Sequence, residues 1–328
     1  MTGRAGSGAA VVGPRALSFV IPFRARSAAD PNLDRLDGLL PRFPDDGRAI
    51  VVDDSLDAGA RERLCTIVAR RGETARVLRS EATAADAFSI GRLRDAGAAA
   101  AEDGIVMFHD VDFFAPAPVY ARLAETLRGP VGDALASGGF LCAPVAFLTR
   151  IGTLAARTAG LRGWGALAQP WTRRARIVDR LVRGSSAIIL ERRTLLEIGG
   201  HSSAYEGHGA EDFELMHRLS LRAPRGPRPA NYPVDYGSRA ETAEGFRAYF
   251  ARYAEPLLEA GVHLGHLWHP PRRQDPRYYA AKRRNFERLR ATLSAADALD
   301  DGADALRTSG PAPSDRDPRA AANPRSAR

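Results

Sequence analysis

Three groups of side chains in this sequence have types and spacings that suit chemistry. Asp110 and Asp112 form an Asp-x-Asp triplet directly after the apolar run Ile105-Val106-Met107-Phe108-His109. Glu211 and Asp212 are adjacent acids that follow the glycine-rich stretch Gly207-His208-Gly209-Ala210. His263, His266 and His269 bring three of the seven histidines into seven residues. Two acids held close together repel unless a cation shares them, and oxygen ligands of this kind suit Mg²⁺ or Mn²⁺ holding a substrate's phosphates. A charged turn after a strand explains the triplet equally simply. A carboxylate beside a glycine-rich loop can take a proton from a bound hydroxyl; the helix dipole also favours acids in a first turn. Side chains of an extended segment alternate, so His266 and His269 would face opposite ways and at most one would be a ligand. Carboxylate with imidazole suits Mn²⁺.

Positioning these groups calls for an α/β fold. The run 105–109 reads as a strand buried on both faces of a parallel sheet, and ligands collect beyond the carboxyl ends of such strands. Residues 17–21 read as the first strand, ended by Pro22 and followed by Phe23, Arg24, Ala25 and Arg26. Arginines there suit a diphosphate, which the guanidinium fork pairs bidentately, or they solvate a basic loop. A second strand, 48–52, ends at Asp53 and Asp54, acids placed to hydrogen-bond a ribose or base edge. Helices are expected at 32–40, 57–71, 88–102, 191–198, after Glu211, at 241–260 and at 276–293. Further strands are expected at 75–78 and 184–190, and residues 221–230 form a Pro/Arg-rich linker. Arg92 and Arg94, on the 88–102 helix, face phosphates or solvent. No Gly-x-Gly-x-x-Gly follows the first strand and no Walker loop occurs, which disfavours a dinucleotide dehydrogenase or P-loop NTPase.

A chain of 328 residues holds one large domain or two small ones, and its 45% apolar and 26% charged fractions are those of a soluble protein. The net charge of +8 points to anionic partners. A high-GC composition explains why Lys282 is the only lysine, but not the excess of base over acid. Between 150 and 183 stand eight arginines and one acid, Asp179, interleaved with Trp164 and Trp171. Such a segment suits an anionic membrane surface or acceptor, or is a surface excursion. Cys65 and Cys142 lie in apolar contexts, show no metal-ligand spacing and read as reduced, buried thiols. No apolar run approaches a membrane span, and the first residues lack a signal peptide's apolar core, which places the protein in the cytoplasm or at the inner face of the plasma membrane. Residues 1–16 and 295–328 read as disordered, leaving a domain over 17–294 with the Arg-rich insertion at 150–183.

Taken together, Pro22 to Arg26, Phe88 to Gly97 leading into His109-Asp110-Val111-Asp112, Gly184 to Gly200, and Gly207 to Asp212 resemble the GT-A nucleotide-sugar glycosyltransferases. The likeness spans roughly residues 17–270. It is greatest to the family of the animal β-1,4-galactosyltransferases and to bacterial capsule-type family 2 relatives. The resemblance implies a GT-A fold: a Rossmann-like nucleotide-binding half, a mixed central sheet and helices on both faces. It further implies a metal-dependent enzyme moving a sugar from a UDP-sugar to a glycan or lipid-linked acceptor, with inversion, in cell-surface polysaccharide synthesis such as that of capsule. On this resemblance Pro22, Phe23, Arg24 and Arg26 look like uridine-diphosphate contacts, Phe88 like the base or ribose neighbour, and Arg92 like a displaced basic residue. Asp112 is similar to the direct Mn²⁺ ligand (or Mg²⁺), supported by Asp110, with His266 or His269 completing the site. Asp212 looks like the general base and Glu211 like a substrate contact. The chain departs from the family at His208, where tryptophan is frequent, and in the Arg-rich insertion.

Two other classes compete. A nucleotidyltransferase acting on sugar phosphates also needs an acid pair and a metal, but would carry a Gly-rich basic signature where Pro22-Phe23-Arg24 stands. A non-catalytic nucleic-acid-binding protein would account for the charge, yet no aromatic-rich nucleic-acid motif is present.

Overall fold

A computed structural model of the chain describes residues 16–81, 88–102, 104–158, 164–168, 176–239, 243–270 and 280–308. It begins with β1 (Ala16–Phe23), α1 (Pro31–Leu39), β2 (Gly47–Asp53), α2 (Ala58–Ala69), β3 (Ala75–Arg79), α3 (Ile90–Ala100) and β4 (Gly104–Phe108). Then follow β5 (Phe113–Phe114), α4 (Ala117–Arg128), α5 (Pro130–Ala136), β6 (Phe140–Cys142), β7 (Val145–Leu148), α6 (Arg150–Thr158), β8 (Val178–Val182) and β9 (Ile188–Glu191). The remaining elements are α7 (Arg192–Glu197), α8 (Glu211–Arg222), α9 (Gly245–Ala251), α10 (Glu255–Glu259), β10 (Leu264–His266) and α11 (Lys282–Thr308).

The main sheet has the order β3-β2-β1-β4-β9-β6. Its β3, β2, β1 and β4 are parallel, while β9 runs antiparallel to both β4 and β6, so the sheet is mixed. The continuous apolar runs arise because both faces are covered. Phe19, Ile21, Val51, Ile105 and Met107 face one core with α1, α2 and α4. Val20, Ile50, Val52, Val106 and Phe108 face another with α3, α8 and α9. Asp30 and Asp57 cap α1 and α2 through their side chains, satisfying first-turn amides.

Gly97 sets how closely α3 approaches this sheet. A Cβ there would lie 2.3 Å from Val20 Cγ1 and 2.9 Å from Val52 Cγ2. Overpacking costs about 1–3 kcal/mol, more than the roughly 1 kcal/mol that alanine adds in helix propensity. Gly97→Ala is therefore expected to melt below the wild type in thermal denaturation; an unchanged or higher midpoint would show that α3 can retreat without cost.

A second, smaller sheet, β5-β10-β7-β8, was not expected. Its strands are two to five residues long, too short to show alternation in the sequence. It absorbs part of the Arg-rich insertion, since β8 pairs antiparallel with β7. The helix expected at 241–260 is divided into α9, a 3₁₀ turn at Arg252–Ala254, and α10. Pro256 has no N–H to donate and is accommodated only in a first turn, so a new helix starts there. The final helix, expected at 276–293, runs from Lys282 to Thr308. Ala16 already belongs to β1, while residues 1–15, 169–175 (with Trp171), 271–279 and 309–328 lie outside the described residues. Cys142 is buried as expected, but Cys65 lies on the outer face of α2 and is exposed. Among the described residues no helix is long and apolar enough to cross a membrane.

Candidate active site

Beyond the carboxyl ends of β1 and β4 lies a cleft of about 260 Å³. Pro22, Arg24, Phe88, Asp110, Asp112, Glu211, Asp212, His266 and His269, all singled out in the sequence, line it. Arg94, Ser186, His208 and Phe147 also line it. Five other candidates do not. Phe23, the last residue of β1, is buried in the core; Arg26 and Arg92 are exposed outside the cleft. Asp53 and Asp54 are buried behind its rim, where Asp53 pairs with Arg79 and Asp54 with Arg24. Arg24 is thus anchored before any substrate arrives, its Nε 2.9 Å from Asp54 Oδ2 and its guanidinium 5.0 Å from the Phe88 ring centre.

The Asp-x-Asp triplet sits in a tight turn after β4, closed by Phe113 N–H donating to the Asp110 carbonyl at 3.0 Å. His109, just before it, is fully buried. Its Nδ1 lies 2.9 Å from the Asp110 carbonyl, an acceptor, so Nδ1 carries the proton. Nε2 then accepts from the Tyr120 hydroxyl at 2.9 Å. Burial lowers the His109 pKa to about 3, which favours this neutral form at neutral pH.

Opposite the turn, β5 and β10 pair antiparallel with His266 in register with Phe113, and Leu267 N–H donates to the Asp112 carbonyl at 2.8 Å. The strand stops at His266, so alternation does not extend to His269. This corrects the expectation that the two histidines face apart. His269 Nε2 lies 3.1 Å from Asp112 Oδ2 and His266 Nε2 lies 3.6 Å from it. One donor atom from each of the three residues falls within a 4.8 Å cluster. Phe147 stacks on the His266 ring at 4.4 Å, and Arg180 lies over Phe147 at 3.9 Å, fixing the imidazole. Burial lowers the pKa of His266, favouring the neutral form in which imidazole ligates. His263 stands apart from this cluster, its Nε2 bonded to the Trp164 carbonyl at 2.9 Å.

The acids of the Gly-rich loop begin α8. Gly207, Gly209 and Ala210 all have positive φ, and Ala210, at +74°, is a non-glycine residue in the left-handed region that places Glu211 in the first turn. Asn285 of α11 braces the loop from behind by donating to the Glu206 carbonyl at 2.9 Å. Glu211 is buried, and its Oε2 has no hydrogen-bond partner among the described residues. Burial first, and then the neighbouring Asp212, push its pKa up to about 7.

Arg94 joins the two acid groups. It is 1% exposed, and its guanidinium reaches Asp110 Oδ1 at 2.7 Å through Nη2 and Asp212 Oδ1 through Nη1. Ser186 donates to the other Asp110 oxygen at 3.2 Å. Burial alone would raise the Asp212 pKa, but Arg94 and then His201 hold it below the ordinary carboxylate range. His201 is itself fixed by Asp95, with Nδ1 2.7 Å from Oδ1, while its Nε2 stands 3.8 Å from Asp212, beyond hydrogen-bond reach. Arg94 was legible in principle. Gly91, Leu93, Gly97 and Ala98 form the buried stripe of α3 at helical spacing, and Arg94 falls within it while Arg92 falls outside.

Residues 18–294 match the family described as "Glycosyltransferase like family 2", and the chain belongs to that family. Its mixed α/β architecture is the GT-A arrangement expected from the sequence. No curated protein matches the chain. Among solved structures it is similar to S. aureus TarS 1-349, at 15% identity and a TM-score of 0.38 over 64% of this chain and 56% of that one. The same TarS segment in complex with UDP-GlcNAc matches at 15% and 0.39, over 64% and 54%. GalNAc-T7 with UDP, GalNAc and Mn²⁺ matches at 15% and 0.40, over 63% and 41%. The chain thus spans about half the length of the TarS structures it matches.

Proposed function

We propose that this protein is a divalent-metal-dependent glycosyltransferase that moves a sugar from a UDP-sugar to a hydroxyl of a glycan or lipid-linked acceptor. One observation carries the reading: an Asp-His-His donor cluster and a carboxylate pair open into the same cleft. The donor set fits a metal, since Asp112, His266 and His269 offer one carboxylate and two imidazoles at mutual distances a single ion can span. That mixture suits Mn²⁺, with Mg²⁺ the harder alternative. Bound there, the ion would offset the charge that develops on the leaving diphosphate.

The chain's own residues supply the rest. Arg24 and Phe88, one anchored beside the other, form a rim for the nucleotide. Asp110, fixed by Arg94 and Ser186, orients the donor sugar. Asp212, kept ionised by Arg94, takes the proton of the acceptor hydroxyl as that oxygen bonds to the anomeric carbon and the bond to the diphosphate breaks. A single displacement of this kind inverts the anomeric configuration. The neutral, buried His109 serves the turn's shape and not the proton transfer. We place the reaction in cell-surface polysaccharide synthesis at the cytoplasmic side of the membrane.

Calorimetric titration of UDP and a panel of UDP-sugars with and without Mn²⁺ tests the reading. UDP binding is expected to depend on the metal and to be lost in Asp112→Ala. Equal UDP binding in chelator, or an undiminished Asp112→Ala variant, removes the metal site from the mechanism.

A further inference from the structure

The mouth of the cleft continues onto a surface that sugar transfer does not use. β7, which brings Phe147 to the His266 ring, ends just before Thr149, where α6 departs. Thr149 Oγ1 accepts the Gly152 N–H at 3.0 Å. Gly152 faces inward, and a Cβ there would lie 2.0 Å from the Ile177 carbonyl oxygen, so α6 is seated by backbone contact. Thr153 Oγ1 accepts the Trp268 N–H at 2.7 Å, tying α6 to the residue before His269.

The other face of α6 points away from the protein. Ile151 is 64% exposed, Leu154 65% and Trp268 40%, and the Arg150 guanidinium lies 5.7 Å from the Trp268 ring centre. Arg157 and Arg176 are exposed on the same segment. α6 contains no acid, and Asp179, the only acid between 150 and 183, is already paired with Arg180 and Arg239. Aliphatic residues at i and i+3, a tryptophan and a basic border form an apolar patch inside a cationic one.

We propose that this face rests on an anionic lipid bilayer. Ile151, Leu154 and Trp268 enter the headgroup boundary and the arginines pair with lipid phosphates. A polyanionic glycan would account for the arginines but give Ile151 and Leu154 nothing apolar to bury against. A second copy of this chain would bring two basic faces together. The placement deepens the proposed function and rests on it: a patch one residue from His269 lets a lipid-linked hydroxyl reach the cleft mouth while its lipid stays in the membrane.

Flotation of the full chain with vesicles tests this without donor or acceptor. The protein is expected to float with vesicles of phosphatidylglycerol and phosphatidylcholine, and to stay behind with phosphatidylcholine alone. Ile151→Ser combined with Leu154→Ser alters only exposed side chains. It is expected to weaken vesicle binding about tenfold, the scale of burying two aliphatic side chains in part. Its Mn²⁺-dependent UDP binding should match the wild type. A wild-type chain that ignores anionic vesicles, or a double variant that floats as well as wild type, overturns the assignment. So does a double variant that splits a dimer on size exclusion while keeping vesicle binding, which would make the face an interface between copies. A wild-type chain that fails to bind UDP would instead strike the proposed function and leave the vesicle result readable.

Discussion

Arg94→Met is expected to destabilise the fold by about 3–5 kcal/mol in urea denaturation at neutral pH, the range for removing one partner of a buried ion pair. What the substitution leaves behind sets that scale. Asp110 and Asp212 both point at the Arg94 guanidinium, whose burial opposes its charge while Asp212 and then Asp110 hold it protonated. Methionine fills much of the volume, so the loss measures uncompensated charge and not a cavity. The pH dependence has a definite sign. The folded-state pKa of Asp212 is depressed, so its pairing adds stability above the unfolded value near 4 and loses it as the pH falls through the folded value. The gap between wild type and Arg94→Met should therefore narrow in acid. Arg94→Lys should recover only part of the loss, because one ammonium cannot reproduce a fork between two carboxylates. A loss below about 1 kcal/mol would mean that the two acids find water or other donors, and the Arg94 bridge would then be an ornament of the site.

The parts of this molecule that could be read from the sequence are those where periodicity or turn chemistry acts locally. The strands at 17–21, 48–52 and 105–109 stand out because two covered faces demand apolar residues at every position. The Asp-x-Asp turn and the Gly-rich loop before α8 stand out because positive φ and clustered charge have few other causes. What escaped depends on long-range pairing. β10 has three residues, and only its register with β5 places His266 beside Asp112. His269 joins them because the chain leaves the strand after His266, a departure that alternation cannot foresee. The same blindness affected the acids at the end of the second strand. Asp53 and Asp54 look like ribose contacts from their position, yet Arg79 and Arg24 turn them into struts for the cleft wall. Arg92 and Arg94 differ by two residues and by about 200° around α3, which separates solvent from the heart of the site.

Asp212→Asn is expected to lower kcat by about 10²- to 10⁴-fold while leaving Mn²⁺-dependent UDP binding unchanged, the scale of losing a positioned general base. Asparagine keeps an oxygen for the Arg94 fork, and Asp110 continues to hold that guanidinium, so the change removes basicity and not architecture. The neighbouring acid makes the experiment discriminating. Glu211 has a pKa of about 7 and a carboxylate oxygen without a partner among the described residues, features that would also fit a base. The two assignments predict different pH profiles for kcat/KM. With Asp212 as base, its depressed pKa keeps it ionised, and activity should hold down to about pH 4 as far as this group is concerned. With Glu211 as base, activity should fall with an apparent pKa of about 7, and that inflection should vanish in Glu211→Gln. Stability gives an independent reading of the same residue. A carboxyl whose folded pKa is raised costs nothing below its unfolded value of about 4.5 and costs most above pH 7, here on the order of 3 kcal/mol. Glu211→Gln should therefore be more stable than wild type at about pH 8, with the advantage shrinking as the pH falls towards 4.5. If Asp212→Asn transfers sugar at the wild-type rate while Glu211→Gln does not, the proton passes to Glu211, and Asp212 serves to position Arg94.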